Sequence, residues 1–256
     1  MDGKKIYLKL FLKKCVSNYL KFTGEKVFPD YQIYTKTMTT TKAESQGFDS
    51  LASTLYDTRT GAHSMKIWED VFFSNLNAEY LIFHEFTHII DAEKYSKKDK
   101  IKHMSNKGYT EYHAAQIDFL KLLGADNIHS EFTFSMSKIF MTIEGEKTAK
   151  QFLEKPHNHA LSLIERSDFP ANIDTLATTL GLIFNYYGRR SICKMYASDY
   201  IESVDNSSIE KLIGHNTVQA LNEYMLGWLD VEQVDLVDKL YYKMTMSLVE
   251  KYNLDK

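Results

Sequence analysis

The chain has little of what would tie it to an oxidising compartment, a membrane or a flexible tether. Its two cysteines, Cys15 and Cys193, lie far apart, so no disulfide framework can be drawn and reduced thiols are expected. Three prolines and 11 glycines in 256 residues argue against long disordered linkers. No run approaches the ~18 consecutive apolar residues that a membrane span needs. The opening stretch, MDGKKIYLKLFLKKCVSNYL, is interrupted by Lys9 and closed by Lys13 and Lys14. A signal peptide needs an unbroken apolar core and a small-residue cleavage site, so a cytoplasmic protein is expected. A net charge of −3 lacks the basic footprint of a nucleic-acid binder. Lys4, Lys5, Lys9, Lys13 and Lys14 read as one solvated basic face.

What remains is ordinary for a globular protein, with 44% hydrophobic residues, and rich in aromatics, with 17 tyrosines and 15 phenylalanines. That suffices for one large domain or two small ones around a substantial core. Apolar spacing predicts an amphipathic helix from about Lys4 to Phe22. The threonine-rich stretch TGEKVFPDYQIYTKTMTTT favours strand. STLYDTRTGAHSMKIWEDVFF reads as a β-hairpin with its turn at Arg59–Gly61. The period then becomes helical through SNLNAEYLIFHEFTHIIDAEKYS, with Ser74 or Asn75 as N-cap, and SKKDKIKH ends that helix in solvent. A second helix spans NKGYTEYHAAQIDFLKLLG, with Thr110 as cap and Gly124 as stop. From there onward only helices are expected, punctuated by Pro156 and Pro170 and capped once at DNSS. The expected fold class is α+β: a small sheet-and-helix front over residues 1–128, then a predominantly helical region over 129–256, possible as a separate domain or packed on the front.

The chemistry is carried by HEFTH. Residues four apart share a helix face, so His84 and His88 can aim two imidazoles at one zinc ion. Glu85 sits beside the first histidine, where it can take a proton from a zinc-activated water without binding the metal. With 9 histidines in the chain, the pattern is expected by chance about 0.02 times. A catalytic zinc needs a third protein ligand and an open position. Glu111, 23 residues after His88, is the best candidate, with Ala114 and Ala115 allowing its helix to approach closely. Its competing reading is a first-turn glutamate complementing the helix dipole. His113 competes for the ligand role, but two positions on it points to roughly the opposite side, and only one of the two can face the metal. His103 lies among lysines in the intervening loop. His63, His129, His157, His159 and His215 read as surface or core histidines, and the HNH at 157–159 lacks the ββα context of the nuclease motif. Asp91 and Asp118 are both placed to hold a ligand histidine or to serve packing alone. Tyr109 and Tyr112 flank Glu111 and could steady an oxyanion. AHSMKIWED is the arm expected to offer a sheet edge to a peptide.

A hairpin, an HExxH helix and a following helix opening TEYHAAQIDF together resemble the ImmA/IrrE-type metallopeptidases of mobile elements and prophages, over about residues 30–125. The resemblance implies zinc as cofactor, His84, His88 and Glu111 as its ligands, and Glu85 as the catalytic base. It also implies a protein substrate, with transcriptional repressors the class linked to that group. HEFTH stands where the family commonly has HELGH, and FLKLLG replaces its leucine–methionine–proline ending. The expected function is a zinc-dependent endopeptidase acting on a specific cytosolic protein, with no direct nucleic-acid or membrane partner. The alternative from another class is a non-catalytic peptide-binding or metal-sensing protein on the same scaffold, for which Glu85 has no use.

Overall fold

The computed structural model describes residues 3–36, 52–68 and 78–254. It is an α+β fold, mostly helical. Helix α1 (Gly3–Thr23) buries Leu8, Leu12, Cys15, Tyr19 and Phe22 and leaves Lys9, Lys13 and Lys14 in water. That spacing of four and three is the apolar stripe of a surface helix. Both cysteines are buried free thiols, and burial pushes each up to about 12.

Strands β1 (Tyr31–Lys36), β2 (Ala52–Asp57) and β3 (Ala62–Trp68) form one sheet in the order β1-β3-β2. β2 and β3 make the expected antiparallel hairpin, and β1 joins β3 in parallel. The arm AHSMKIW is therefore the central strand and not an edge. Its alternate residues His63, Met65 and Ile67 are buried, because successive side chains point to opposite faces of the sheet and one face is covered. The edge nearest the HExxH helix is β2. The threonines beyond Lys36 and the expected caps Ser74 and Asn75 lie outside the described residues.

Helix α2 (Glu79–Asp91) carries HEFTH and buries Tyr80, Ile82, Phe83, Phe86, Ile89 and Ile90. Tyr19 of α1 meets Phe83 and Phe86 edge-on at 5.3 and 5.7 Å. α2 loosens into a π-helical turn at Ala92–Ser96, closed by Lys97 in the left-handed region. SKKDKIKH does not simply end in solvent. Asp99 accepts hydrogen bonds from the amides of Ile101 and Lys102 and starts a short helix α3 (Lys100–Ser105). α3 runs almost directly into α4 (Lys107–Leu123), which stops at Gly124 with φ 81°. Thr110 is not the cap: its amide already bonds to the Asn106 carbonyl, so its hydroxyl is free for another task.

The back half departs from an all-helical reading at one place. β4 (Ile139–Thr142) and β5 (Gly145–Thr148) make a small hairpin, too short and too irregular in its apolar pattern to stand out by periodicity. Thr148 and Gln151 then form a capping box for α5 (Ala149–Ile164), which runs through Pro156 without ending there. α6 (Ile173–Tyr196) is capped by Asn172. After DNSS the chain forms two short helices, α7 (Ser207–Ile213) and α8 (His215–Tyr224), parted at Gly214, φ 89°. α9 (Val231–Lys251) opens on a capping box of Asp230 and Gln233. One apolar core runs through α1, α2, α4, α5, α6 and α9, so residue 128 does not interrupt it. Among the described residues no helix is long and apolar enough to cross a membrane.

Candidate metal centre

The side chains of His84, His88 and Glu111 converge, with one ligand atom from each lying within 4.8 Å of the others. His84 Nε2 is 3.6 Å from Glu111 Oε2, and His88 Nε2 is 3.8 Å from Glu111 Oε1. Tetrahedral ligands about one zinc ion stand roughly 3.4 Å apart, so a small inward adjustment closes the set.

Hydrogen bonds on the outer side aim each ligand inward. His84 Nδ1 lies 3.1 Å from Asp118 Oδ2. An ionised carboxylate can only accept, so Nδ1 is the donor there and Nε2 is the nitrogen that faces the centre, open to a metal ion once its own proton is displaced. His88 Nδ1 lies 2.9 Å from the hydroxyl of Thr110, the residue that the helix start left free. Asn185 Nδ2 donates to Glu111 Oε2 at 2.7 Å.

The electrostatics favour a cation. His84 is raised to about 10: burial works against its charged form, but Asp118 and Glu111 together outweigh it. His88 is lowered to about 4 by burial, with His84 and Lys107 adding to the effect against Glu111, so its ring is neutral and able to ligate. Burial opposes ionisation of Glu111, yet His88 and His84 hold its carboxyl down at about 2. Asp118 is already paired with Arg189 at 3.2 Å, so Glu111 is the carboxylate that calls for positive charge, which a proton on His84 or a metal ion can supply. The residues present fit a zinc-class ion in donor type, spacing and charge.

Glu85 is buried at 8% exposure and lines the same cleft as this group, next to Thr54 of β2. Burial pushes its carboxyl up to about 7, Glu111 adding to the rise while His84 and hydrogen bonds from Thr54 restrain it. It is poised to accept or release a proton near neutrality. A cleft of about 340 Å³ opens over these residues, walled by Ala52–Tyr56 of β2 on one side and by Ala177, Thr178, Gly181, Leu182 and Asn185 of α6 on another.

The competing residues are elsewhere. His113 turns away from the group and binds Asp91 through Nδ1 at 3.0 Å, so Asp91 holds no ligand histidine. Tyr112 points into the core, where its hydroxyl donates to the Gly227 carbonyl at 2.5 Å. Tyr109 stacks on His113 at 5.5 Å, so neither tyrosine faces the cleft. His103 and His63 line the far end of the cleft around Tyr56, bonded to Ser96 and Glu93, and neither joins the ligand group. Sequence reasoning missed Thr54, Asn185 and Arg189, and read Thr110 as a cap. Asn185 had one signal, an amide inside the apolar run GLIFNYY.

No protein-family model, curated protein or solved structure matches this chain.

Proposed function

We propose that this chain is a zinc-dependent endopeptidase that cleaves a specific cytosolic protein. The observation that carries this reading is the buried Glu85 carboxylate set beside a converged His84–His88–Glu111 group, at the floor of a cleft bordered by a strand edge. A metal-binding site alone has no use for a proton acceptor there. When bound, zinc supplies Lewis acidity, acidifying water and polarising a carbonyl.

The chain's own residues do the rest. Glu85 takes the proton of the attacking water and passes it to the leaving nitrogen of the scissile amide. β2, an edge strand among the described residues, offers that edge to an extended peptide, which adds as a further strand and lays its backbone across the metal group. Thr54 of β2 hydrogen-bonds Glu85 and holds the base at the side of the cleft. α6 forms the opposing wall, so the cleft suits a single extended segment more than a folded surface. The substrate is accordingly an exposed or unfolded stretch of a protein. By the ImmA/IrrE-type resemblance alone, that protein is a transcriptional repressor of a mobile element. The work takes place in the cytoplasm, in keeping with the two free thiols.

The test is hydrolysis of a mixed peptide library by the zinc-loaded protein beside Glu85→Gln. The wild type is expected to cleave within a restricted sequence context. Glu85→Gln is expected to keep its zinc and lose ~10²–10⁴-fold in rate. A fully loaded wild type that cleaves nothing in the library or in unfolded protein substrates overturns the endopeptidase reading.

A further inference from the structure

Helix α6 lies in the half of the chain that the HExxH motif does not reach, yet one of its faces closes the metal group. Gly181, Asn185 and Arg189 are spaced by four and therefore share a stripe. Gly181 is so near the third ligand that a β-carbon there would stand 3.6 Å from Glu111 Cδ. The geometry points to Asn185 and Arg189 as positioning residues for the metal ligands, so that the helical half completes the centre and is not merely a cover. This inference rests on the zinc reading above.

Asn185 uses one amide nitrogen twice. It donates to the Gly181 carbonyl at 3.0 Å and to Glu111 Oε2 at 2.7 Å. The first bond fixes the amide on its own helix and the second fixes the carboxylate. A neutral donor orients Glu111 without cancelling its charge, which stays available to a cation. Lysine or arginine at this place would form an ion pair that competes with the metal.

Arg189 acts one ligand further away. Its Nη2 donates to Asp118 Oδ2 at 3.2 Å, the same oxygen that takes His84 Nδ1. Its Nη1 donates to the Phe152 carbonyl at 2.8 Å, and the guanidinium stacks 3.6 Å from the Phe152 ring centre. The side chains of Asp118 and Arg189 are 2% and 11% exposed. A buried pair shaped for stability alone would use both forks. Here Asp118 Oδ1 and Arg189 Nε are buried with no hydrogen-bond partner among the described residues. The pair gives up its second bond and instead sets the carboxylate against the ring of His84.

The reach of so short a side chain as Asn185 depends on close helix packing. A β-carbon at Gly188 would fall 2.2 Å from the Tyr112 carbonyl oxygen and 2.9 Å from Ala115 Cβ. Glycine at 188 and alanine at 115 therefore let α6 and α4 approach until an asparagine spans the gap.

The experiment measures zinc Kd by chelator competition, and the visible spectrum of the cobalt-substituted protein, in the full chain and in Asn185→Leu and Arg189→Met. Each variant is expected to bind zinc ~10–100-fold more weakly, the usual cost of losing such a partner, and to shift the cobalt bands. Metal-free thermal unfolding verifies that each variant is folded, and His113→Ala, which touches no ligand, should bind as the wild type does. If Asn185→Leu fails to fold, Asn185→Ser, too short to reach Glu111, gives the same reading. Arg189→Lys is expected to recover part of the Arg189→Met loss, and failure of that rescue removes Arg189 from the inference. Folded variants with unchanged Kd and spectrum overturn the inference and leave the zinc site standing, as does an equal loss in His113→Ala. A wild type that takes up no zinc overturns both.

Discussion

The same two helices carry two histidine–aspartate couples in mirror image. His84 of α2 binds Asp118 of α4 at 3.1 Å, and His113 of α4 binds Asp91 of α2 at 3.0 Å. In both the aspartate is almost fully buried and the histidine bonds through Nδ1. The couples differ in what lies beyond Nε2. His84 looks onto His88 and Glu111, across a cleft. His113 is packed between Tyr109, stacked at 5.5 Å, and Trp228, edge-on at 6.1 Å. A histidine held by a carboxylate is therefore no metal site by itself. It becomes one where further lone pairs converge on open space, and elsewhere the same couple simply ties two helices together.

The sharpest break of this symmetry is at the third ligand. Glu111→Ala should abolish stoichiometric zinc by elemental analysis, whereas His113→Ala should retain about one zinc per chain. Equal retention in both would assign the metal to other residues. The aspartates come next. Asp118→Asn is expected to weaken zinc binding ~10–100-fold. Asp91→Asn should leave affinity within about twofold and instead lower unfolding stability by roughly 1–3 kcal/mol, the worth of a buried charge-assisted bond. Chelator competition and denaturant titration on the two variants separate these outcomes.

Two glycines of α6 extend the contrast at smaller scale. Gly188→Ala places a methyl against backbone at 2.2 Å and should cost ~1–3 kcal/mol through overpacking. Gly181→Ala meets only ordinary contacts and should gain ~0.5–1 kcal/mol from reduced backbone entropy. Thermal melts of the two give opposite signs. A further effect is one of pH, remote from the cleft. Burial pushes the Asp238 carboxyl up to about 7, with hydrogen bonds from Asn106 restraining it. A carboxyl raised above its unfolded value of ~3.9 stabilises fully below that pH, and its contribution is lost as pH rises through about 7. Asp238→Asn should therefore unfold like the wild type near pH 4 and become progressively more stable than it by pH 8. A parallel pair of stability–pH curves would contradict that.

Helices announced by a regular apolar stripe, such as α1 and α4, were legible because burial of one face imposes the stripe whatever the partner is. The hairpin of β2 and β3 was legible for the same reason at period two. Its rank within the sheet was not: AHSMKIW reads as an edge until β1 pairs with it from a distant stretch of chain. β4 and β5 were invisible because four residues give too few repeats. Pro156 misled because a helix tolerates it where packing repays the lost hydrogen bond.

In the centre itself, local spacing determined that His84, Glu85 and His88 share one turn of helix, since helix geometry alone fixes those offsets. It also favoured Glu111 over His113 by putting them on different sides of α4. Only tertiary structure decided which aspartate holds which histidine, that Thr110 serves His88, and that Asn185 reaches Glu111 and Arg189 reaches Asp118 from 74 and 71 residues away. The physical reason is range. Hydrogen bonds between helices depend on how closely and in what register the helices pack, which is set by a glycine here and an alanine there, and no short window of sequence carries that sum.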